Sequence, residues 1–136
     1  MLVKDLMNRR IESVLPNSTV LQAAKKMRDL NIGIIPVINE SGNIEGLLTD
    51  RDIVVRVLAD ELNPSNTSVR EVMTADIRFC SENSSLEEAA KIMEKHQIRR
   101  ILVKNDGKIT GIISLGDIAL NVKEQLSGEI LKSISK

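Results

Sequence analysis

At 136 residues the chain has room for one compact domain, and either half alone, at about 66 residues, would bury too little surface to be secure. One Phe and no Tyr or Trp leave nothing for a base-stacking platform, and 19 Lys and Arg against 19 Asp and Glu leave no basic excess for duplex DNA. The single Cys80 excludes an internal disulfide and fits a reducing cytoplasm, MLVKDLMNRR holds no signal-peptide run, and no window approaches the ~20 apolar residues of a membrane span.

Val3-Lys4-Asp5-Leu6-Met7 opens the chain, and Ile11 to Leu15 predicts a short strand. Val20, Ala23, Ala24, Met27 and Leu30 recur at helical spacing. They predict an amphipathic helix over Thr19 to Leu30, capped by Ser18 or Thr19. Ile34-Ile35-Pro36-Val37-Ile38 predicts a buried strand, with Pro36 pointing to an edge or a bulge. Asn39-Glu40-Ser41-Gly42-Asn43 is turn chemistry, so Ile44 to Leu48 completes a hairpin. From Thr49 a second helix carries Ile53, Val54, Val57, Leu58 and Leu62 on its apolar face.

After Asn63-Pro64-Ser65-Asn66-Thr67-Ser68 the same order begins again. Val69-Arg70-Glu71-Val72-Met73 repeats the opening, 66 residues on. A strand is expected around Ile77 to Cys80, and a helix on Leu86, Ala89, Ala90 and Met93. The hairpin of Ile101-Leu102-Val103 and Ile109 to Ile113 turns at Asn105-Asp106-Gly107, and a last helix carries Ile118, Val122 and Leu126. The offset falls to 65 after the first hairpin turn. The chain is therefore a duplication: repeat 1 over 1–62, a linker over 63–68, repeat 2 over 69–126, and a tail over 127–136 whose residues from Glu129 suit a helix. Two such units are expected about a pseudo-two-fold axis. The fold class is α/β of the α+β kind, each unit strand-helix-strand-strand-helix.

Gly46-Leu47-Leu48-Thr49-Asp50-Arg51-Asp52-Ile53 and Gly111-Ile112-Ile113-Ser114-Leu115-Gly116-Asp117-Ile118 close the two hairpins. With the openings Asp5-Leu6-Met7 and Glu71-Val72-Met73-Thr74, and with Ile35-Pro36-Val37, they make the whole chain resemble the cystathionine-β-synthase (CBS) domain pair, or Bateman module. The resemblance implies two clefts between facing repeats, which in many members hold AMP, ADP, ATP or S-adenosylmethionine. It implies Asp52 and Asp117 as ribose ligands, Thr49 and Ser114 as ribose-phosphate contacts, and residues near Ile11 and Ile77 as adenine contacts. It also implies a flat homodimer formed through the helices.

Thr49-x-x-Asp52 and Ser114-x-x-Asp117 also read simply as capping boxes, with an acidic side chain suited to the helix dipole. The two readings are compatible, since a helix start also offers N–H groups to phosphate. Arg99-Arg100 reads either as a solvated pair or as a phosphate clamp, and its place in repeat 1 is held by the uncharged Gly33-Ile34. The two sites should therefore differ, with Ile34 lining one and Arg100 the other; which aspartate Arg100 partners is open. His96 should face solvent and Cys80 should be a small buried hydrophobe. One His and one Cys cannot make a zinc site. Met7, Met27, Met73 and Met93 read as packing residues.

A regulatory sensor of adenosine-containing ligands is the favoured function, with no resident cofactor and an unknown effector protein. The alternative is a ligand-free dimerisation or protein-interaction module. An enzyme is the weakest reading, because no nucleophile, acid–base pair or metal cluster presents itself.

Overall fold

Thr19 starts the first long helix. Its Oγ1 accepts the N–H of Gln22 at 3.1 Å, and the Gln22 side chain accepts the N–H of Thr19 at 2.9 Å. The computed structural model describes the backbone of residues 1–135 and the side chains of residues 1–125, so the expected apolar contribution of Leu126 lies outside the described side chains. Helix α1 (Val20–Leu30) buries Val20, Ala23 and Met27 and ends on Asn31, at φ 54°. Strand β1 (Ile34–Ile38) then pairs antiparallel with β2 (Ile44–Thr49), Ile34 opposite Thr49. Helix α2 (Asp50–Asp52) passes directly into a π-helix (Ile53–Leu58) in place of the expected longer α-helix. Four of those six residues are β-branched, the class that crowds an α-turn. A short α3 (Val69–Val72) follows the linker.

The strand expected over Ile11 to Leu15 is reduced to one parallel bridge, Val14 to Val37. Val14 donates its N–H to the Pro36 carbonyl at 3.0 Å and accepts from Ile38 at 3.0 Å. Extending that ladder toward Glu12 would need an N–H from Pro36, which proline lacks.

In the second half, β3 (Phe79–Ser81) is the strand expected near Ile77. Helix α4 (Leu86–His96), capped by Ser85, buries Leu86, Ala89 and Met93 and ends on Gln97, again at φ 54°. Strand β4 (Arg100–Asn105) pairs parallel with β3 and antiparallel with β5 (Lys108–Ser114), Arg100 opposite Ser114. Helix α5 (Leu115–Ser135) runs on through Gly128 and the stretch read as a tail. His96 is half-buried at the end of α4 rather than fully solvent-facing.

The packing units are not the sequence repeats. One unit is Ile11–Ile77; the other joins Met1–Arg10 to residues 78–136. Each opening has crossed to the other repeat. Val69 and Val72 share a core with Val20, Ala23, Ile35, Leu48 and Val57. Val3 and Met7 share one with Ala89, Met93, Ile101, Ile113 and Ile118, and buried Cys80 joins them as expected. Leu47 and Thr74 exchange both backbone hydrogen bonds at 2.8 Å, and Asn8 and Ile112 do so at 2.8 and 3.0 Å.

The repeated glycines make room for this crossing. A Cβ at Gly46 would meet the Met73 sulfur at 2.6 Å, and one at Gly111 would meet the Met7 sulfur at 2.6 Å. Met7 and Met73 are therefore packing residues, each wedged over a glycine that sequence comparison assigns to the other repeat.

Candidate functional site

Both Thr/Ser-x-x-Asp motifs close the turn from the last strand of a hairpin into the following helix. Asp52 donates its N–H to Thr49 Oγ1 at 3.1 Å, and its Oδ2 accepts the N–H of Thr49 at 3.0 Å. Asp117 donates its N–H to Ser114 Oγ at 3.0 Å, and its Oδ2 accepts the N–H of Ser114 at 3.3 Å. The capping reading is thus realised twice, and each carboxylate spends one oxygen on it.

Beyond the cap the copies diverge. Asp52 is only 7% exposed. Thr74 Oγ1 lies 3.1 Å from its Oδ1 and 3.2 Å from its Oδ2. Arg56 Nε stands 3.9 Å from Oδ1, while its Nη1 donates to the carbonyls of Val72 at 3.2 Å and Met73 at 3.0 Å. Asp117 is exposed, and among the described residues its carboxylate accepts nothing beyond the Ser114 N–H.

The strand register settles which motif lies beside Arg100. Arg100 sits directly across β4–β5 from Ser114, so the two side chains share a face. Ile34 holds the corresponding place opposite Thr49. Asp117 therefore has a cation next to its cap, and Asp52 has an apolar side chain. Arg99 is exposed, and its carbonyl accepts the N–H of Leu115 at 2.7 Å, as Gly33 accepts from Asp50 at 2.9 Å. Neither Arg99 nor Arg100 pairs with a carboxylate among the described residues. Ile11 and Ile77 are half-buried, stand at the two ends of the Asp52 unit, and join neither core cluster. A groove of about 350 Å³ in the same unit takes in Gly33, Asp50 and Ile53 but neither Thr49 nor Asp52.

A CBS-domain family model matches residues 3–59 and again 69–124. The chain belongs to the CBS-domain family. It is 40% identical over 134 residues to the CBS domain-containing protein YhcV of Bacillus subtilis (strain 168), covering 98% of this chain and 94% of that one. Among solved structures it resembles Hypoxic Response Protein I with two coordinated zinc ions, at 34% identity and TM-score 0.76 over 88% of this chain and 97% of that one. It also resembles the CBS domain pair of protein MJ0100 in complex with 5′-methylthioadenosine and S-adenosyl-L-methionine. There the identity is 26% and the TM-score 0.82, over 92% of this chain and 98% of that one. The two family matches make this chain a CBS-domain pair of the regulatory type.

Two residues that contact Asp52 are not marked as site residues by the sequence pattern. Arg56 carried a legible signal, lying four residues after Asp52 on the same helix face. Thr74 stands in a motif opening, but nothing local points it at Asp52, because that approach depends on the crossed opening. Among the described residues no three His, Cys, Asp or Glu side chains stand together as metal ligands, and no helix is long and apolar enough to cross a membrane.

Proposed function

We propose that this CBS-domain pair is a cytoplasmic, non-catalytic sensor of an adenosine-containing ligand: AMP, ADP, ATP or S-adenosylmethionine. On this reading Asp117 and Asp52 accept from ribose hydroxyls, and Ser114 and Thr49 lie by the ribose-phosphate. Arg100, with Arg99 behind it, meets phosphate; Ile11, Ile77 and Ile34 supply apolar contacts. Occupancy passes to a separate effector protein. The observation that carries the reading is the exposed, underused carboxylate of Asp117, with Arg100 across the ladder from its cap partner Ser114. The adenosine-type ligands of the MJ0100 pair support it. Calorimetry of the whole chain with AMP, ADP, ATP, S-adenosylmethionine and ribose-5-phosphate tests it. At 100 times the dissociation constant a true ligand adds about 2.7 kcal/mol of stability. Silence toward all four adenosine compounds, or equal binding of ribose-5-phosphate, overturns it.

A second reading, a ligand-free dimerisation module, rests on the helix that follows Asp52. Val54 and Leu58 are 56% and 61% exposed there, while Val57 is buried; Leu62, 42% exposed, lies past the helix end. An apolar ridge of this kind favours a homodimer under either reading. Sedimentation giving a 15.1 kDa monomer at micromolar concentration removes the dimer.

A further inference from the structure

The two motif aspartates differ in what already occupies them, and that difference sets an order of binding. Asp52 Oδ2 accepts both the Thr49 N–H and the Thr74 hydroxyl, and the hydroxyl also lies within reach of Oδ1. A carboxylate offers about four acceptor positions, and a nucleoside cis-diol needs two of them facing outward. At 7% exposure Asp52 presents almost no outward surface. The Thr74 hydroxyl already takes acceptor capacity that a diol would need.

We infer that the Thr74 hydroxyl is a built-in occupant of the Asp52 carboxylate, so that a nucleoside diol binds first at Asp117 and reaches Asp52 only by displacing Thr74. This rests on the adenosine reading and adds the ordering of its two sites. Thr74 cannot leave by a backbone shift at small cost, because Leu47 holds both its N–H and its carbonyl at 2.8 Å. Met73 before it is wedged on Gly46. Arg56 ties the carbonyls of Val72 and Met73 to the helix that follows Asp52. The route that remains is rotation of the Thr74 side chain, which breaks its bond to Asp52.

Among the described residues the other unit has no such device. The residue 66 positions before Thr74 is Asn8, whose Oδ1 accepts the N–H of Arg10 at 3.0 Å and which has no hydroxyl to offer Asp117. The counterpart of Arg56, 65 positions on, is Asn121, which has no cation to offer. Differences at two positions therefore convert one copy of a duplicated motif from an open acceptor into a self-satisfied one.

Calorimetry with AMP on the full chain decides the matter. The wild type should take up one equivalent before any second event, and Asp117→Asn should weaken that event at least tenfold. In the Asp117→Asn background, Thr74→Val should restore binding at least tenfold by freeing Asp52, whereas Thr74→Ser, which keeps the hydroxyl, should not. Thr74→Ala serves as a second hydroxyl-free variant should valine misfold. Two equal equivalents in the wild type overturn the ordering while leaving the adenosine reading intact. Thr74→Val and Thr74→Ala that both leave binding at Asp52 unchanged overturn the occupant role. Silence of every variant toward AMP overturns the adenosine reading together with the ordering.

Discussion

Met73 is seated on Gly46. A Cβ there would lie 2.6 Å from the Met73 sulfur and 2.8 Å from the Thr74 carbonyl oxygen. The thioether can swing aside; the carbonyl, bonded to Leu47, cannot. Gly46→Ala should therefore cost about 1–3 kcal/mol through overpacking. Gly111→Ala should cost somewhat less, since its backbone neighbour, the Asn8 carbonyl, stands at 3.0 Å. Urea midpoints read both, and an unchanged midpoint for Gly46→Ala would show that the crossed segment yields.

The two aspartates should separate in stability. Asp52→Ala strips partners from the Thr49 N–H and the half-buried Thr74 hydroxyl, and should cost about 2–3 kcal/mol. Asp117→Ala removes only an exposed cap and should cost about 0.5–1 kcal/mol. Equal losses in thermal melts would contradict this division.

Arg100 should read phosphate. Arg100→Ala is expected to weaken AMP about tenfold and leave adenosine unchanged, with the AMP effect shrinking as salt rises. Calorimetry at two ionic strengths checks it; equal losses for AMP and adenosine would mean that Arg100 packs rather than pairs.

Cys80 should give stability a pH dependence. Burial pushes its thiol from 9.0 up to about 11. The unfolded chain then releases this proton before the folded chain does. The contribution is full below pH 9 and is lost as pH rises toward 11. Urea unfolding of the wild type should fall more steeply between pH 8 and 10.5, values chosen to lie on either side of about 9, than that of Cys80→Ala. Parallel slopes would reject the assignment. Native Cys80 should also alkylate far more slowly than the unfolded chain.

Much of this architecture is legible in the residues. Thr19, Ser85 and the apolar spacing of Val20, Ala23 and Met27 specify helices by local chemistry, and the turns at Gly42 and Gly107 specify hairpins. Local chemistry cannot say which copy an opening joins. Met7 would find a glycine of the same motif at Gly46 or at Gly111, and only the chain's path chooses Gly111. The same limit hid the occupant of Asp52. The Thr49 cap is local and legible, but Thr74 lies 22 residues away and arrives with the crossed segment. The bridge at Val14 fell short of a strand for a reason written in the sequence, the missing N–H of Pro36.

The exchanged openings impose a timetable on synthesis. The Ile11–Ile77 unit has all its parts once Ile77 has left the ribosome, so its core contacts can begin to form before those of the other unit. Residues 1–10 are made before the Ile11–Ile77 unit but dock after it, because Gly111 and Ile112 follow that unit in the chain. At about 5–20 residues per second that leaves Val3 and Met7 undocked for roughly 5–20 s. A segment made ahead of one unit thus serves as the closure of the other.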